Sequence, residues 1–147
     1  MSKIKPTVFS ISKGKYFMHK SLDINGLEAA YVGSGSVWEN PYKVKMSKDG
    51  FYHIWLSENL CTNRTIEIAE AIIKEQYNSF DDAKKDSLMC YAKLLFPYEH
   101  KNSDLTDFFI SKANIESVEK ELKGKNLAVK GKLENNFHAD YLIEIAN

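Results

Sequence analysis

Residues 27–42 read Leu27-Glu28-Ala29-Ala30-Tyr31-Val32-Gly33-Ser34-Gly35-Ser36-Val37-Trp38-Glu39-Asn40-Pro41-Tyr42, an apolar run that stops in a loop of two glycines and two serines. The run follows Asn25-Gly26, a strong turn signal, and Ala29 to Val32 reads as a buried strand. A strand ending in glycine and small hydroxyls lets backbone N–H groups approach a phosphate or carboxylate without side-chain obstruction. Pro41 disfavours the helical region for Asn40, so Asn40 reads as extended. Tyr42 to Met46 then alternates Tyr42, Val44 and Met46 with two lysines, the pattern of a half-buried strand.

Toward the N-terminus, Thr7 to Ser12 has a period of two and Tyr16 to His19 follows a glycine, which predicts a β-hairpin. Toward the C-terminus, Asp49-Gly50 is a turn. Phe51 to Leu56 suits a buried strand paired back onto Val44 or a helix, and the absence of a breaker through Asn59 favours helix. From Thr65, read as an N-cap, Ile66, Ala69, Ile72 and Ile73 fall on one helical stripe. Ser79 and Asp82 resemble a capping box for a helix burying Leu88, Tyr91, Ala92 and Leu95. Ser103 opens a further helix through Phe108 and Phe109, and Asn114 caps one carrying Ile115, Val118 and Leu122. Leu127 to Val129 is a short strand, and a last helix from His138 buries Tyr141, Leu142 and Ile145.

A chain of 147 residues suits one domain with a real core. The expectation is a single α/β domain whose small mixed sheet takes the N-terminal hairpin and the Ala29, Tyr42 and Leu127 strands. Helices pack the sheet, and residues 61–113 form a helical insertion. A hydrophobic fraction of 44% with 12% aromatics argues against disorder. Twenty basic residues balance twenty acidic ones, so no global field draws the chain to nucleic acid or an anionic membrane, although a local patch is compatible with that balance. Pro6 and the polar run from Ser10 to Lys15 interrupt any signal-peptide core, and no stretch approaches the roughly 20 apolar residues of a membrane span. Cys61 and Cys90 read as reduced cytosolic thiols without metal-ligand spacing.

Gly33, Ser34, Gly35, Ser36, Trp38 and Asn40 are therefore the candidate ligand-binding residues. The loop is neither a dinucleotide fingerprint, since Trp38 stands at the third glycine position, nor a Walker loop, which would end in Gly-Lys-Ser or Gly-Lys-Thr. No cofactor motif is present. Trp38 is either a core anchor or a stacking face, and Asn40 reads a ligand edge or bonds its own backbone. His138 and Asp140 are the candidate catalytic pair, a base with its orienting acid, or a packed histidine beside a carboxylate at the positive end of a helix. No set of histidines, cysteines and carboxylates has the spacing of a metal site.

The run Tyr31 to Tyr42 resembles the opening signature of the family called domain of unknown function 4326, common in bacteria and phages, which reads Tyr-Val-Gly-Arg-x-Ser-x-Trp-Gly-Asn-Pro-Phe. Glu121 to Ala128 and His138 to Asn147 resemble its closing segment, and Tyr52, Trp55 and Leu56 match residues between. The resemblance implies that the loop and the His138 turn meet across one pocket. Ser34 stands where the family has arginine, Glu39 where it has glycine, and Val129, Gly131 and Phe137 near its cysteines. Two functions are expected from this. One is binding of a small polar or nucleotide-like ligand. The other is a protein-interaction or inhibitor module, acting on a host defence system through the helical insertion.

Overall fold

In a computed structural model, residues 4–11, 17–70, 72–95 and 115–147 are described. Along the chain run β1 (Val8–Ile11), α1 (Phe17–Asn25), β2 (Ala29–Tyr31), β3 (Tyr42–Met46), β4 (Tyr52–Leu56), α2 (Asn63–Ala69), α3 (Phe80–Leu95), α4 (Ile115–Leu122), β5 (Asn126–Lys130) and α5 (His138–Ala146). They form two compact units, Met1–Glu39 with Ile115–Asn147, and Asn40–Asn114. The architecture is mixed α/β, with parallel and antiparallel pairing in separate sheets.

In the first unit β5 lies between β1 and β2, parallel to both, pairing Val8 with Leu127 and Ala30 with Leu127. Its residues Asn126 to Val129 are all buried, as a central parallel strand requires. The polar start of that strand is satisfied by a side-chain network. Thr7 N–H donates to Asn126 Oδ1 at 2.9 Å, while Asn126 Nδ2 donates to Ser21 Oγ at 2.8 Å and Asn25 Oδ1 at 2.7 Å. Thus a residue of the C-terminal half holds the middle and the C-terminal end of α1. Phe9, Ile11, Ala29 and Ala128 form the core beneath, with Phe17 and Tyr31 packed on it.

The predicted N-terminal hairpin does not form. β1 finds its partner in β5, and Phe17 opens α1 instead of a second strand; residues 12–16 lie outside the described set. Four residues carry too little periodicity to separate strand from helix. The Asn25-Gly26 signal ends α1: Gly26, at φ 78°, donates to Leu22 O at 2.8 Å, and Leu27 N–H bonds Asn25 Oδ1 at 3.1 Å.

In the second unit β3 and β4 pair antiparallel, Tyr42 opposite Leu56 through Met46 opposite Tyr52. Where the sequence favours helix over Phe51 to Leu56, Tyr52–Leu56 is strand, because pairing onto Val44 buries Ile54 and turns Trp55 outward. The second unit, Asn40–Asn114, holds residues 61–113 together with this strand pair. Tyr42, Ile54, Ala69, Ile72, Tyr77, Ala83 and Cys90 form its core. The cap of α2 is Thr62, not Thr65. The two share a reciprocal box in which Thr65 N–H reaches Thr62 Oγ1 at 3.1 Å and Thr62 N–H reaches Thr65 Oγ1 at 2.8 Å. Helix α2 stops at Ala69; of the expected stripe Ala69 and Ile72 are buried, while Ile66 and Ile73 are exposed. Ser79 caps α3 through Asp82 N–H at 3.2 Å. The buried face of α3 is Ala83, Ser87, Cys90, Tyr91 and Leu95, so Leu88 and Ala92 sit at its margin. In α5, likewise, Ala139, Leu142 and Ala146 are buried, while Tyr141 and Ile145 are only partly so. The helix expected around Phe108 and the cap at Asn114 fall outside the described residues.

Candidate functional site

All three parallel strands of the first unit end at one edge, and the glycine-serine loop leaves from it. Val32 N–H donates to Ala128 O at 2.9 Å, extending the β2–β5 ladder one residue beyond Tyr31. At Gly33 a Cβ would lie 2.8 Å from Tyr31 Oη, so any larger residue there must displace the tyrosine side chain. That hydroxyl donates to Ser34 O at 2.7 Å. Burial first, and the Glu39 carboxylate second, push the Tyr31 phenol pKa up.

The loop is folded on itself. Ser36 Oγ donates to Gly33 O at 2.6 Å and accepts from Trp38 N–H at 3.2 Å. Gly35, left-handed at φ 87°, donates its N–H to Glu39 Oε1 at 2.7 Å. Glu39, which stands at a glycine position of the resemblance, thus supplies an internal carboxylate to one loop amide. The amides of Gly33, Ser34 and Val37 have no acceptor among the described residues. Ser34, Gly35 and Val37 are exposed, whereas Trp38 is 4% exposed and anchors the loop in the core.

His138 meets the base of this loop. Its Nε2 lies 2.7 Å from Val32 O, and since a carbonyl only accepts, Nε2 carries the proton. The ring is 3% exposed. Asp140, two residues on, is exposed in the first turn of α5, so the two candidate catalytic residues do not share an environment. Helical spacing accounts for this, because residues two apart do not face each other. The turn before His138 is held by Asn136, whose Nδ2 donates to Lys130 O at 2.9 Å and Lys132 O at 2.8 Å.

Asn40 belongs to the second unit and its carboxamide is committed there. Nδ2 donates to Ser87 Oγ at 3.1 Å, Oδ1 accepts from Tyr42 N–H at 3.0 Å, and Ser87 Oγ donates to Tyr42 O at 2.6 Å.

Residues that spacing could not find complete the sheet edge. Ser10 Oγ donates to Gly131 O, linking the ends of β1 and β5. Lys20 Nζ donates to Ser10 O at 2.7 Å, and Lys130 Nζ lies 5.7 Å from the centre of the Tyr31 ring. Ser10, Lys20 and Lys130 lie in no motif; only knowledge of the strand order would have gathered them. Among the described residues no cluster of three histidines, cysteines or carboxylates is poised for a metal, and no helix is long and apolar enough to cross a membrane.

The class of protein so defined is a mixed α/β chain with a glycine-serine loop at the carboxyl edge of a parallel sheet. No family model, curated protein or solved structure matches it.

Proposed function

We propose that the carboxyl edge of the parallel sheet binds a small polar, nucleotide-like ligand, between the Gly33–Ser36 loop and the turn into His138. The single observation that supports this best is the 2.7 Å bond from His138 Nε2 to Val32 O, which joins the two motifs 106 residues apart in sequence at one end of one sheet. Open parallel sheets take ligands outside the carboxyl ends of their strands. The Gly33 and Ser34 amides and the Lys130 ammonium give such a ligand's anionic group something to bond. Trp38 and His138 act in this reading as supports of the loop, and Asn40 as a support of the strand that follows. The resemblance of both motifs to domain of unknown function 4326 favours the same pairing. With Nε2 of His138 engaged, binding is better supported than acid–base catalysis.

Thermal shift against a panel of nucleotides and sugar phosphates tests the proposal, because a ligand selective for the native state stabilises it by roughly 2.7 kcal/mol at a hundredfold excess over Kd. At least one member should raise Tm. The rise should vanish in Gly33→Ala, whose added Cβ collides with Tyr31. A panel without any shift would sink the reading. The alternative, an interaction or inhibitor module acting on a host defence system, is favoured by Ile66 at 51% and Met89 at 47% exposure, both within residues 61–113. That module would give no nucleotide shift.

A further inference from the structure

The β3–β4 hairpin has a second face. Alternation sends Tyr42, Val44, Tyr52, Ile54 and Leu56 to the core side, and Lys43, Lys45, His53 and Trp55 to the other. Lys43 stands directly opposite Trp55, and Lys45 opposite His53. Trp55 is 53% exposed, against 4% for Trp38, although a tryptophan is ordinarily among the most buried side chains of a domain. Residues 42–56 carry Lys43, Lys45 and Lys48 against one acid, Asp49. That acid is engaged locally: Oδ2 lies 3.0 Å from His53 Nε2, and Oδ1 accepts from Phe51 N–H at 2.9 Å. The overall neutrality of the chain conceals two lysines set beside an exposed indole on one hairpin face, with a third in the adjoining turn.

We propose that this face binds single-stranded nucleic acid, with an unpaired base stacked on Trp55 and the flanking phosphates drawn to Lys43, Lys45 and Lys48. Charge complementarity selects the occupant. Aromatic platforms bordered by cations are what single strands bind, since every base has a π-face and every step a phosphate. Protein interfaces also use tryptophan but are depleted in lysine, which makes a protein partner the poorer fit. Lys43 and Lys45 stand about 7 Å apart along the strand, and both lie within reach of the indole across the ladder. The inference is independent of the ligand proposed for the first unit.

Fluorescence anisotropy of a fluorescein-labelled dT10 oligonucleotide on the intact chain tests it. Saturable binding at low salt is expected, with a log–log salt slope of roughly −2 if three phosphates are neutralised. Trp55→Ala should weaken binding about tenfold or more, with Trp55→Phe retaining much of it. The double substitution Lys43→Glu, Lys45→Glu should weaken it further and flatten the salt slope. If Trp55→Ala fails to fold by circular dichroism, the lysine double variant carries the test. No saturable binding, affinity unchanged in these variants, or tighter binding of a glutamate decamer than of dT10 would each overturn the proposal. The last result would assign the face to an acidic protein segment.

Discussion

At His138 the imidazole is a buried donor that joins the start of α5 to the exit of β2. Removing a donor from a buried carbonyl leaves that carbonyl unsatisfied, which costs about 1–3 kcal/mol. His138→Ala should lose that much in urea denaturation, and His138→Gln, which restores an N–H donor, should recover part of it. A loss under about 0.5 kcal/mol, the scale of an inconsequential surface change, would show that the Val32 bond contributes little. Asn40 is similar: the asparagine before proline was legible as a site for side-chain bonding, but whether it bonded ligand or backbone depended on Ser87, a residue no local pattern connects to it.

At the scale of elements, the β3–β4 turn depends on Asp49. The bond from Phe51 N–H holds the Asp49 carboxyl below the ordinary carboxylate pKa; desolvation opposes it, and the hydrogen bond and charge of His53 give smaller help. A depressed folded pKa means that the contribution is fully present above the unfolded value, about 3.9, and is lost as pH falls through the lower folded value. The Phe51 amide resonance should therefore hold steady from neutral pH to about 5 and move only in stronger acid. In Asp49→Asn that acid step should disappear. An acid step in the Phe51 resonance that persists in Asp49→Asn would overturn this assignment. Turn chemistry at Asp49-Gly50 and Asn25-Gly26 was readable because one residue type dictates one backbone conformation. Six residues of Phe-Tyr-His-Ile-Trp-Leu were not, since a strand and a short helix expose different subsets of the same side chains.

Over the whole molecule, each unit has a buried cluster within its own bounds and a residue that can report on it. Burial pushes the Cys90 thiol up to about 11, beyond the minor effects of Lys93 and Asp86, so it should resist a thiol reagent until the second unit opens. Exposed Cys61 should react in the native protein. Trp38 reports on the first unit, most cleanly in a Trp55→Phe background. Cys90 labelling and Trp38 emission followed in urea are expected to give different midpoints. Coincident curves would mean one cooperative transition instead.

By itself the sequence determined the mixed α/β class, the position and composition of the glycine-serine loop, the Asn25-Gly26 and Asp49-Gly50 turns, the cap of α3 and the start of the last helix at His138. These depend on local rules: backbone permissiveness, capping and periodicity over a long enough segment. Tertiary structure alone decided that β5 inserts between β1 and β2, that β3 and β4 form their own sheet, and that Trp38 is buried while Trp55 is not. Strand partners are chosen by pairing between distant segments, and each apolar side chain is buried by whichever element covers it. Neither choice leaves a mark in the spacing of residues along the chain.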